Sequence, residues 1–200
     1  MYVYGDVGFR PVEAEDLEAM RELRNDPSTW AALTSVGMIS KADQEGWFAS
    51  LQKAKDKAYF ACFEVESTYP IIAQGDFIGI IRCDEMDGLN RSVRIGADVM
   101  PEKRGRGWGT KIYHALLRFC FAEWNHHKVW LMVLDDNDVA IRLYKGVGFR
   151  EDGLMRQAVY RDGRYKDYIV MSLLHDEYRE YCRNGLYDIK TPDTKYVPGA

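Results

Sequence analysis

Excess positive charge is missing from this 200-residue chain: 27 lysines and arginines stand against 31 aspartates and glutamates, giving a net charge of −4 at pH 7. A protein that tracks a nucleic-acid backbone shows the opposite balance, so nucleic acid is not an expected partner. An acidic remainder is mildly favourable to a cationic amine. Cysteine is scarce as well. Cys62, Cys83, Cys120 and Cys182 form no Cys-x-x-Cys and sit mostly in apolar runs, which argues for buried reduced thiols rather than disulfides or a zinc site. His126-His127 lack the His-Glu-x-x-His spacing, and His114 and His175 have no evident ligand partners, so no metal is expected. No apolar run nears the roughly 18 residues that cross a bilayer. The opening MYVYGDVGFRP has neither a basic nor an apolar leader region, so the expectation is a cytoplasmic protein without membrane association. Repeats and low-complexity tracts are absent too. What remains, 46% hydrophobic and 29% charged residues, suits one globular domain around a sizeable core.

Periodicity orders that domain. A strand is predicted at Val7 to Val12, then a helix over Glu15 to Arg24 on Leu17, Met20 and Leu23, broken by RNDPSTW. Ser40 reads as the N-cap of a second helix carrying Ala42, Trp47, Phe48 and Leu51. Strands follow at 58–65, 71–83 and 91–100, an antiparallel meander whose last turn is DEMDGLN. Ile112, Ala115, Leu116, Phe119 and Cys120 then mark a helix of three to four turns. A buried strand at 127–134, a short helix at 137–146, a strand opened by GFREDG, and a hairpin turning at Asp162-Gly163 complete the core. Because a helix connects strands 91–100 and 127–134, those two should run parallel or splay from parallel within a mixed α/β sheet. Domain limits of 1–175 are expected, with 176–200 a helix fading into a solvated tail.

Between the last meander strand and the long helix lies PEKRGRGWGTK, with Gly105, Gly107 and Gly109 among Arg104, Arg106 and Lys111. Thr110-Lys111 stand in the wrong order for a Walker loop, and Gly-x-Gly-x-Gly is not the dinucleotide fingerprint. A strand, a turn and a helix N-terminus nevertheless offer unpaired amides to a phosphate, and bare glycines allow a pyrophosphate close approach. Arg104 and Arg106 either add charge-assisted hydrogen bonds or face water.

IGADVMPEKRGRGWGTKIY resembles the acetyl-CoA-binding segment of the GNAT superfamily of N-acetyltransferases, in Arg104, Gly107 and Gly109 after Val99 and Pro101. NDVAIRLYKGVGF is similar to the family's later stretch, in Asn137, Ala140, Leu143, Tyr144, Gly148 and Phe149. With FRPVEAEDLEAMRELRNDPSTW and DGRYKDYIVMSLL, the likeness spans roughly residues 7 to 174 and points to the branch of ribosomal-protein N-terminal, polyamine and nucleotide-linked amino-sugar acetyltransferases. It implies a mostly antiparallel central sheet flanked by helices, with strands splayed at the acetyl-CoA site. It also implies cofactor contacts from Val99, Arg104, Gly105, Arg106, Gly107, Trp108, Gly109, Thr110, Asn137 and Tyr144, and an acceptor wall at Arg24, Asn25, Trp30 and Trp47.

Acetyl transfer to an amine makes three demands. The amine, near pKa 10.4 when free, must lose a proton; the thioester oxygen needs a donor; the departing thiolate leaves more easily if protonated. The resemblance gives the second role to the strand end near Val99 and the third to Tyr144. Asn137 and Tyr144 also read simply as an N-cap and a packing residue. Alternation turns Asp98 away from Val99, Glu102 lies in the loop, and Glu45, Asp84 and Glu85 either face the acceptor cavity or are solvated surface charges; no general base is assigned. The expected function is acetyl transfer from acetyl-CoA, by direct attack on the thioester, to a primary amine of a small molecule such as an amino sugar. Peptide N-termini and polyamines come behind it, then a non-catalytic acyl-CoA-binding module and a nucleotide-binding protein. Late strand edges make a homodimer an expected partner.

Overall fold

The computed structural model describes residues 1–33, 38–68 and 71–187. Strands β1 (Tyr2–Tyr4), β2 (Val7–Pro11), β3 (Ala58–Thr68), β4 (Ile71–Asp87), β5 (Ser92–Val99), β6 (Lys128–Leu134), β7 (Arg150–Arg161) and β8 (Arg164–Leu174) are joined through helices α1 (Leu17–Asn25), α2 (Pro27–Trp30), α3 (Lys41–Leu51), α4 (Trp108–Arg118), α5 (Asp138–Gly146) and α6 (His175–Arg183). The strands form one sheet in the order β1-β2-β3-β4-β5-β6-β8-β7. All neighbours are antiparallel except β5 and β6, which pair in parallel only at Ser92, Val93 and Arg94 opposite Lys128, Val129 and Trp130. Beyond Arg94 no rung joins them, and the expected splay opens there.

Alternation along β4 and β5 decides what each face packs. Ile81, Cys83, Val93 and Ile95 point to α4, whose Ile112, Ala115, Leu116 and Leu117 are fully buried against them with Phe9, Phe60 and Val129. The opposite face carries Ile80 under Val12, Met20 and Leu23, where α1 and α3 cover it. Ser40 caps α3 as its sequence suggests, accepting from the Asp43 amide while Asp43 accepts from the Ser40 amide. Asp162 and Gly163 both have positive φ, 48° and 78°, as a two-residue hairpin of this hand requires.

Four expectations change. β1 was not anticipated, since three residues are too few to show a period. β4 continues to Asp87, so the turn begins later, where Asp87 accepts from the Asn90 amide at 2.9 Å. GFREDG and the next segment form one irregular strand, β7, with register shifts between Glu151 and Gly153 and between Met155 and Val159. The solvated tail does not hold through Tyr187: Tyr178 stacks on Phe121 at 4.7 Å, and the buried Tyr187 donates to the Val147 carbonyl at 2.6 Å. Residues 188–200 lie outside the described residues.

Candidate active site

α4 begins without a side-chain cap. Its N-cap is Gly107, at φ 82° and ψ 0°, and its first ladder bond runs from the Lys111 amide to the Gly107 carbonyl at 3.2 Å. The amides of Trp108, Gly109 and Thr110 therefore have no acceptor within the helix. Gly105 also takes a left-handed φ of 72°, and the positions where Cβ atoms would stand at Gly105 and Gly107 are open space. Gly109 differs: a Cβ there would stand 2.8 Å from Leu143 Cδ1, so its bareness serves the packing of α4 on α5. Thr110 is exposed on the first turn, whereas Trp108 is buried in the core.

The basic cluster divides by partner. Lys103 binds Asp76 at 2.8 Å, and Lys111 binds Asp6 at 2.7 Å with its ammonium 4.6 Å from the Trp108 ring centre. Arg104 is turned back into the protein. Its Nε donates to the Val99 carbonyl at 2.9 Å, its Nη1 to Ser28 Oγ at 2.7 Å, and its Nη2 to Thr29 Oγ1. Arg104 and Arg106 both lack an ion-pair partner among the described residues, and Arg106, which is exposed, is the one of the two whose guanidinium makes no hydrogen bond there either. An anion at the α4 N-terminus would meet backbone amides, the positive end of the helix dipole and Arg106.

Val99 ends β5 opposite Gly79. On the next rung the Met100 amide donates to the Ile78 carbonyl at 3.0 Å. Antiparallel alternation then directs the Val99 amide away from β4, toward the side from which β6 has departed. On α5, Tyr144 accepts a hydrogen bond from the Tyr113 hydroxyl of α4 at 3.4 Å, with ring centres 5.2 Å apart. Burial pushes both phenols above their usual range, and the charges of Arg82 and Asp98 reach both. Asn137 caps α5, its Oδ1 accepting from the Ala140 amide at 3.1 Å.

On the α1 side of the sheet a buried carboxylate is shared by two guanidinium groups. Asp98, 9% exposed, lies 3.4 Å from Arg24 Nη1 and 3.2 Å from Arg82 Nη2. Arg82 reaches it across Gly96, where a Cβ would come within 2.8 Å of Nη2. Tyr59 donates to Asp84 at 2.9 Å nearby, and its ring meets Trp47 edge-on at 5.1 Å. Asn25 spends its amide on both backbone groups of Ile39, at 2.8 and 2.9 Å.

Residues 6–150 match the model of the acetyltransferase (GNAT) domain. The chain belongs to the GNAT acetyltransferases. A spermidine N(1)-acetyltransferase of Vibrio cholerae is 31% identical over 106 residues, 53% of this chain and 61% of that protein. One from Escherichia coli K12 is 24% identical over 172 residues, 86% of this chain and 88% of the other. The crystal structure of spermidine N-acetyltransferase from Vibrio cholerae in complex with CoA and spermine shares the fold, with a TM-score of 0.80 at 24% identity, covering 87% of this chain and 98% of that one. This GNAT chain is an N-acetyltransferase whose co-substrate is acetyl-CoA.

The glycine loop follows the Val99 strand end directly in the chain, the first turn of α4 packs on α5 where Gly109 meets Leu143, next to Tyr144, and Arg24 stands beside Asp98. Three other expected site residues have structural contacts: Asn25 clamps the segment leading to α3, Trp47 packs on Tyr59, and Trp30 is half-buried at the end of α2. Arg82 and Tyr113 were not anticipated. Alternation marks Arg82 as facing away from the buried Ile81 and Cys83, a usable signal; nothing local distinguishes Tyr113 from a core aromatic on α4.

Proposed function

We propose that this GNAT enzyme acetylates a primary amine of a polyamine. The names of its relatives support the polyamine over the amino sugar that the sequence suggested first. The observation that carries the chemistry is the splay: a diverging pair of parallel strands with an outward-turned Val99 amide at one wall and the uncapped α4 N-terminus at its mouth. Acetyl-CoA supplies an activated acetyl thioester. Amides 105–110 and Arg106 would hold its diphosphate, the loop's open space beside Gly105 and Gly107 admitting the oxygens. The Val99 amide is aligned to stabilise charge growing on the acetyl oxygen as the amine nitrogen attacks. Tyr144 accepts from Tyr113 and so keeps its own O–H for the departing sulfur. Asn137 would contribute its Nδ2, which has no partner among the described residues.

One observation favours a second reading. Arg24 and Arg82 bring two guanidinium groups to a single carboxylate, which suits an acceptor bearing an anionic group near its amine, such as an amino acid or a sugar phosphate. Release of CoA thiol, measured with spermidine, spermine, an amino-sugar phosphate, free amino acids and a short peptide, separates these readings. Fastest turnover of spermidine is expected. Preference for the anionic acceptors would replace the polyamine, and CoA binding without thiol release for any amine would replace catalysis with a binding module.

We also propose a homodimer formed along β7, which ends the sheet and exposes Leu154, Met155 and Tyr160. No described helix is long and apolar enough to cross a membrane. The buried thiols Cys62, Cys83 and Cys120 support a reducing, cytoplasmic setting.

A further inference from the structure

We infer that Arg104 is a strut that makes occupancy of the acetyl-CoA loop tighten the acceptor wall, rather than a ligand of the diphosphate. The inference rests on the proposed cofactor loop and goes beyond it. Arg104 immediately precedes Gly105, so its backbone belongs to the loop that would close on CoA. Its side chain spans to three places at once: the Val99 carbonyl at the end of β5, the Ser28 hydroxyl and the buried Thr29 hydroxyl on α2. Three of its five N–H donors, one on each nitrogen, are thereby spent on the protein, and together they turn the guanidinium back toward α2 and β5.

The link continues past α2. Ser28 donates its hydroxyl proton to the Asp26 carboxylate, which also accepts from the Ser28 amide at 2.9 Å and caps α2. Asp26 follows directly on Arg24 and Asn25, and Arg24 returns to Asp98 on β5. Cofactor loop, oxyanion strand and acceptor corner are therefore closed into a ring by hydrogen bonds and two short stretches of chain, Asp98–Val99 and Arg24–Asp26, with Arg104 touching all three. Gly105 is free to change conformation in an empty loop, whereas amides fixed on a diphosphate hold it in one. Holding Gly105 holds Arg104, and Arg104 holds residues 28 and 29. Binding of CoA and ordering of the α1–α2 corner are then coupled, and by reciprocity the acceptor binds more tightly to the loaded enzyme.

The test uses the full chain with CoA alone as probe, then the best amine of the panel above. Hydrogen exchange in wild type should slow over 105–111 and also over 26–33 when CoA is added. In Arg104→Ala, and separately in Ser28→Ala/Thr29→Val, slowing over 105–111 should persist while that over 26–33 is lost. Both variants should raise acceptor KM about tenfold, in the usual range for coupled sites, with CoA Kd within about twofold of wild type. Combining them should add nothing further, because both cut the same link. The strut is overturned if Arg104→Ala weakens CoA binding tenfold while the serine and threonine variant leaves acceptor KM unchanged, or if 26–33 stays indifferent to CoA in wild type. Failure of CoA to protect 105–111 in wild type would instead refute the cofactor loop itself. If Arg104→Ala does not fold, the serine and threonine variant carries the same decision alone.

Discussion

Gly107 and Gly109 belong to one motif, yet the structure requires each to be glycine for a different reason, and alanine at the two positions should separate those reasons. At Gly107 the backbone is left-handed, with φ at 82°, and a Cβ would meet no atom within 4 Å. Alanine there suffers conformational strain alone, about 1–2 kcal/mol for an L-residue in that region. A loop that relaxes out of this conformation misaligns its amides, so CoA affinity should fall about 5- to 30-fold, the factor that free energy represents. At Gly109 the backbone is helical and Leu143 Cδ1 would stand 2.8 Å from the new Cβ. Alanine there must turn aside Leu143 Cδ1, the movable end of a half-buried side chain, so overpacking should cost no more than about 1 kcal/mol, a small drop in Tm, with CoA affinity nearly kept. In a Leu143→Ala background the clash is gone, and the preference of a helix for alanine over glycine, about 1 kcal/mol, should make Gly109→Ala stabilising. Denaturant melts of the four variants and calorimetric titration with CoA provide the readout. Gly109→Ala that loses CoA binding regardless of residue 143 would refute the packing account, and unimpaired CoA binding by Gly107→Ala would refute the strain account.

Tyr144→Phe should lower kcat about 100-fold, within the usual range for a lost general acid, while leaving CoA binding intact. Since burial raises the Tyr144 phenol from its usual value, any alkaline fall in rate that this donor causes should lie above that of a free phenol and be absent from Tyr144→Phe, as pH–rate profiles of the two would show. Arg161→Ala removes the donor to the buried Leu33 carbonyl that ties the β7–β8 hairpin to the residues after α2; about 1–3 kcal/mol of stability should be lost, seen as a lower denaturant midpoint. Hydrogen bonds from Ser40 hold the Asp43 carboxyl below its usual 3.8, and those from Ser28 do the same for Asp26. Their contributions are complete above that value and vanish as pH falls through the lower folded values. Ser40→Ala should therefore cost stability at pH 6 and progressively less toward pH 2, as thermal melts across that range would show.

The sheet was readable wherever a strand shows one buried face, because period-two alternation is a local property. β5 and the meander before it came through, as did the Asp162-Gly163 turn, whose left-handed pair needs glycine at one position. β7 was cut in two because residues 150–158 are all exposed and leave no period to follow. In the site, glycines at 105 and 107 were legible through the backbone they permit. The partners of Arg104 were not: Ser28 and Thr29 lie 76 and 75 residues away in sequence, and neither a strand pattern nor a helix period brings such distant hydroxyls to one guanidinium. The Asn25 contact with Ile39 was hidden for a similar reason, since an amide suited to a ligand is equally suited to a backbone.

Tyr4 donates to the carbonyl of Tyr187 at 2.8 Å, across 183 positions of chain. A nascent polypeptide emerging from the ribosome thus holds β1 and β2 without the segment that seals them until synthesis has passed residue 187. Phe9 is covered earlier, by Phe60 and Phe119, but the Tyr4 end of β1 must meanwhile wait unsealed, a window in which chaperone capture competes with self-association.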